Sequence, residues 1–129
     1  MRQSSYEILG EQKKIRLIAG DHFISLPKKF RKGDWTAILN SNNGIVPAGT
    51  LTTVDGKPVI TTESTTDAWG IIYQDINFNG SMSIDGNDAN ATENGSVFIH
   101  GAVYESAVSL DATNKEIEKA ALKQIIFGE

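Results

Sequence analysis

The chain contains no cysteine, three prolines, and aromatic residues at only 8% of its length. The missing thiol excludes disulfide stapling, thiolate metal sites and thiol catalysis. No apolar run approaches the roughly 20 residues that a bilayer span requires. The opening residues, Met1-Arg2-Gln3-Ser4-Ser5-Tyr6, have no apolar core of the kind a secretory signal needs. A soluble protein made in the cytoplasm is therefore expected, without a membrane partner.

What is present suits one domain. There are 129 residues, 40% hydrophobic and 22% charged, enough for a single core and too balanced for wholesale disorder. The net charge of −4 hides an asymmetry. Residues 1–32 hold eight Lys/Arg against three Asp/Glu, a balance of +5, while residues 33–129 hold four against thirteen, a balance of −9. A basic arm ahead of an acidic body is the reading, with residues 1–40 as arm and 41–129 as a β-rich domain. The arm suits an acidic protein surface. Direct nucleic-acid binding is not expected, because the body would repel phosphate and the arm has few aromatics.

Hydrophobic spacing predicts mainly β structure. Ile15, Leu17 and Ile18 suit a short strand, and Phe23, Ile24 and Leu26 another that Pro27 should end. From Ile45 onward, strands are expected at 50–54, 58–62, 69–77, 81–84, 96–104 and 124–127. Asp55-Gly56, Asn79-Gly80 and Asp85-Gly86 are hairpin-type turn pairs. Residues 85–94 read as a long exposed loop. One helix is expected, at 114–123. Thr113 and Glu116 form its capping box, and Ile117, Ala120 and Ala121 its apolar stripe.

Chemistry is hard to find. His22 and His100 lack the converging partners of a zinc site. The run Asp85-Gly86-Asn87-Asp88-Ala89-Asn90 fails the calcium-loop pattern at its fifth, sixth and twelfth positions. No nucleophile elbow or phosphate-binding glycine loop occurs. The chain therefore reads as a non-enzyme without a metal or cofactor. Trp35 and Trp69 are the possible interface aromatics. Trp69, beside Gly70-Ile71-Ile72, suits core or a subunit seam, and Trp35, in a polar setting, an exposed contact.

Residues 45–129 carry an ordered set of segments. Ala48-Gly49-Thr50-Leu51 enters a strand. Gly56-Lys57-Pro58-Val59 leads through a Thr/Asp-rich spacer to Ala68-Trp69-Gly70-Ile71-Ile72. Val97-Phe98-Ile99-His100-Gly101-Ala102-Val103-Tyr104 has a central glycine. Residues 114–123 then precede Ile125-Ile126-Phe127. In this order the set resembles the bacteriophage lambda head decoration protein family.

That resemblance implies a mainly β fold with one short C-terminal helix, a small β-barrel-like or β-tulip domain with an extended N-terminal arm. It implies a homotrimer on the exterior of the expanded phage head, bound to the major capsid protein and strengthening the shell. The first 35 residues are longer and more basic than the family pattern. In this chain, strand addition by the arm would anchor Tyr6, Ile8, Leu9, Ile15, Leu17 and Ile18. Arg2, Lys13, Lys14 and Arg16 would steer it toward acidic capsid patches. Two rival readings stand beside this one. A carbohydrate-binding β-module would use Trp35 or Tyr104, and a small hydrolase would use scattered acids and His100.

Overall fold

The computed structural model describes residues 23–128. Its frame is one long strand. β6 (Thr92–Tyr104) is rich in β-branched and aromatic residues and serves three neighbours. β1 (Ile24–Arg31) pairs antiparallel with its first half, from Arg31 opposite Thr92 to Ile24 opposite His100. β4 (Gly70–Ile72) pairs antiparallel with Val97 and Phe98, and β3 (Leu51–Thr52) continues the sheet beyond β4. β7 (Ile125–Gly128) runs parallel to the last four residues of β6. A separate two-stranded ladder joins β2 (Ile45–Val46) to β5 (Ile76–Asn77). The fold is mainly β, but its sheets do not close into a barrel.

Strand side chains alternate between faces, and both faces of this sheet are covered. Ile72 and Val97 enter one cluster with Phe30, Trp35, Leu39, Val46, Ile76 and Phe78. Their direct neighbours Ile71 and Phe98 enter a second cluster with Leu51, Val103, Val108, Leu122 and Ile125. Phe23 and Tyr73 lie on Phe98 at ring separations of 5.9 and 5.7 Å. Gly70 sits where β4 and β6 approach closely, because a Cβ there would collide with Val97.

Several expectations need correction. Among the described residues there are two short α-helices, not one. α1 (Thr36–Ser41) follows a 3-10 turn at Lys32–Trp35 and covers the first cluster, with Trp35 and Leu39 buried. The arm boundary at residue 40 therefore cuts through the core. Residues 24–40 belong to the body, and half of the eight basic residues of 1–32 (Lys28, Lys29, Arg31 and Lys32) sit on β1 or the turn after it. Pro27 does not end its strand. It lies within β1, opposite Ser96, where an edge position leaves room for a residue that cannot donate to a further strand.

All three turn pairs do turn, each closed by an amide three residues on from the accepting carbonyl. Only the first joins paired chain, through the bridge of Thr52 with Pro58. Residues 81–84 form no strand, and 69–77 divide into β4 and β5. α2 (Lys115–Ala121) lies where a helix is expected but docks differently. Ala120 and Ala121 face solvent, while Glu118 and Leu122 are buried. The Thr113/Glu116 capping box does not form. Asp111 instead accepts from the amides of Thr113 and Asn114 at 2.9 and 2.8 Å.

Candidate functional site

The expected arm residues Arg2, Tyr6, Ile8, Leu9, Lys13, Lys14, Ile15, Arg16, Leu17 and Ile18 lie outside the described residues. The two tryptophans separate. Trp35, expected as an exposed contact, is fully buried, and its indole N–H donates to the Gly56 carbonyl at 3.1 Å. The turn at Asp55-Gly56 supplies that acceptor, so one aromatic locks α1 to a loop some twenty residues away. It is not available to a sugar or a partner. Trp69 is half-buried against the first cluster, with the Lys28 ammonium 5.1 Å from its ring centre. That cation–π contact covers part of the ring.

The second cluster is less closed. Glu118 is only 4% exposed, and a buried carboxylate needs hydrogen-bonded partners. Thr61 donates its hydroxyl to Oε2 at 2.5 Å, and the Asp111 amide donates to Oε1 at 2.7 Å. Glu118 thus ties α2 to the loop at 58–67 and to its own lead-in. It borders a cavity of about 230 Å³ whose wall includes Thr50, Leu51, Val59 and Leu110. Both carboxylate oxygens are occupied by these bonds, so the group acts as a pin. Sequence reading passed over Glu118 because the helix stripe drew attention to its apolar residues.

A second cavity, about 460 Å³, opens at the far end of β6. Glu105, Ser106, Val108, Leu110, Lys115 and Gly128 line it. Lys119 holds Glu105 at 2.9 Å, and Lys115 reaches it at only 3.9 Å. The hydrogen bond from Lys119 draws the Glu105 carboxyl below its usual range, and the same bond raises Lys119.

The opposite end of β6 carries a braced loop. Ser81 donates to Glu93 at 2.5 Å, and Ser83 to Asp85 at 2.6 Å. Asp85 also accepts from the Asn87 amide and the Asn90 side chain, both at 2.9 Å. These donors, Ser83 first, pull its pKa down to about 2. Arg31 bonds Asn90 and Lys32 pairs with Asp88 at 3.0 Å, fixing the loop to β1. From this braced frame Met82 and Ile84 project bare, 86% and 108% exposed.

His100 contacts the Gln124 side chain at 3.1 Å. Among the described residues, no group of three His, Cys, Asp or Glu could hold a metal ion. No helix among them is long and apolar enough to cross a membrane. Among the described residues the arrangement offers surfaces: two open cavities and bare apolar side chains. No known protein family and no curated protein matches the chain.

Proposed function

We propose that the chain is a phage head decoration protein, binding the outside of the expanded shell as a homotrimer and bracing it. One observation carries the reading. The four segments on which the resemblance rests are scattered over some eighty residues, yet they form one connected unit. Residues 48–51 lead into β3, residues 68–72 hold β4, residues 97–104 form the later part of β6, and β7 follows α2. Leu122, at the end of α2, closes the cluster beneath them.

The grip comes from the arm. Among the described residues β1 is an edge strand on which Ile24 and Leu26 are exposed. An extended arm adds to a sheet edge of the major capsid protein through backbone bonds. Arg2, Lys13, Lys14 and Arg16 draw it to acidic patches there. Three arms per trimer turn a modest contact into firm retention. The protein is made in the host cytoplasm and resides on the virion exterior.

Co-sedimentation with expanded heads of the phage that encodes the chain tests this. The full chain should pellet with expanded heads and not with unexpanded ones. A truncation lacking residues 1–20 should stay folded and trimeric but bind weakly, since β1 begins only at Ile24. Full-strength binding by the truncation removes the arm from the mechanism. Failure of the full chain to pellet overturns decoration itself.

A further inference from the structure

Met82 and Ile84 are costly to leave in water. They stand two residues apart where the chain enters the turn that the Gly86 amide closes on the Ser83 carbonyl, and both are bare. The loop around them is pinned by the serine and asparagine bonds to Asp85 and by Ser81 on Glu93. The loop therefore presents its apolar pair in a fixed pose, with little ordering entropy left to lose on docking. A pair so braced and so bare has the form of an anchor.

The larger cavity has the complementary form. Val108 and Leu110 are part of its lining, and its volume of about 460 Å³ admits two aliphatic side chains. Charge matches as well. The loop carries the ionised Asp85 beside the apolar pair. Lys115 stands half-exposed at the cavity, and its ion contact to Glu105 is long at 3.9 Å. Glu105 itself is matched more closely by Lys119, at 2.9 Å.

The two features cannot meet within one molecule. The loop is tied to Glu93 at the start of β6, and the cavity begins at Glu105, just past its end. Twelve extended residues span roughly 40 Å, and even a right-angle bend at Gly101 leaves over roughly 25 Å. We infer that the Met82/Ile84 loop of one copy seats in the Val108/Leu110 cavity of the next, a head-to-tail contact that builds the oligomer. Such a heterologous contact closes a ring of three when each copy is turned by a third of a revolution. The inference rests on the proposed function only for the number three. The contact itself is tested without phage heads.

The cysteine-free chain makes the test clean. A Met82→Cys copy and a Ser106→Cys copy, both altered at exposed positions, are mixed in equal amounts under mild oxidation. The mixed disulfide should exceed either same-residue disulfide several-fold. Predominance of the Met82→Cys pair with itself would mean a two-fold contact and overturn the inference, as would the absence of any mixed product. In parallel, the double variant Met82→Ser/Ile84→Ser should keep the circular dichroism of the parent. Its self-association, by analytical ultracentrifugation, should weaken about a hundredfold or more. Unchanged self-association would also overturn the contact. A chain that cross-links head to tail but ignores heads keeps this inference and loses decoration. One that decorates heads without the mixed disulfide does the reverse.

Discussion

Ile72 and Val97 point into a layer where Trp35, Phe30, Phe78 and Val46 have no solvent contact. Ile71 and Phe98, one residue along each strand, point into a layer bordered by two open cavities and a buried carboxylate. The same two strands therefore serve two different layers. The closed one is filled by large aromatics and one satisfied indole, so its worth is stability. The open one is assembled from loops, a short helix and polar pins. Such a layer tolerates concave surfaces, and those are what a partner can occupy.

The comparison breaks most visibly at Trp35. Trp35→Ala empties the centre of the closed layer and leaves the Gly56 carbonyl without its donor. A loss of about 3–5 kcal/mol is expected, read by chemical denaturation. A loss under 1 kcal/mol would mean that the layer is not close-packed. On the open side, Glu118→Ala orphans the Asp111 amide and leaves the Thr61 hydroxyl with Thr66 alone. It should cost about 1–3 kcal/mol, less than the tryptophan, and raise amide exchange at 111–118 first. Pro27→Ala, on the exposed edge strand, should stay within about 0.5 kcal/mol of the parent in the same assay.

The smallest effect is electrostatic. Asp85 is held at about 2, below its ordinary 3.8, by hydrogen bonds to its charged form. A depressed carboxyl supports the fold fully above the unfolded value and withdraws that support as pH falls toward 2. A carbon-detected titration of Asp85 should find it ionised at pH 3, and a midpoint near 4 would show that the loop is not braced. The Glu105–Lys119 pair behaves likewise at its acid end, where Glu105 is depressed. At its basic end the contribution fades as pH rises through the raised Lys119 value.

The parts of this fold legible in the sequence are those with strong local signals. The alternation and β-branching of 96–104 mark β6, and Ile125-Ile126-Phe127 marks β7. The turn pairs fall where glycine takes positive φ, at Gly56, Gly80 and Gly86. What escaped depends on distant partners. Pro27 reads as a stop until β6 is known to lie on one side of β1 only. Trp35 reads as exposed because its neighbours in sequence are polar, while its burial comes from Val46, Phe78 and Ile72. Ser81 to Ile84 alternates like a strand, but its apolar members have no sheet beneath them. Glu118 looks like one more solvated helix charge, and its bonds to the Asp111 amide and to Thr61, far back in the chain, show otherwise. The exposed Met82 and Ile84 carry no mark in the sequence that separates them from core residues.

Bracing of a shell is the proposed role. Electron microscopy of expanded phage heads, reconstructed with and without the added chain, tests it most directly. The account predicts new density at the threefold positions, trimeric in shape and large enough for three copies. Heads that look identical in both preparations, at saturating protein, would contradict it.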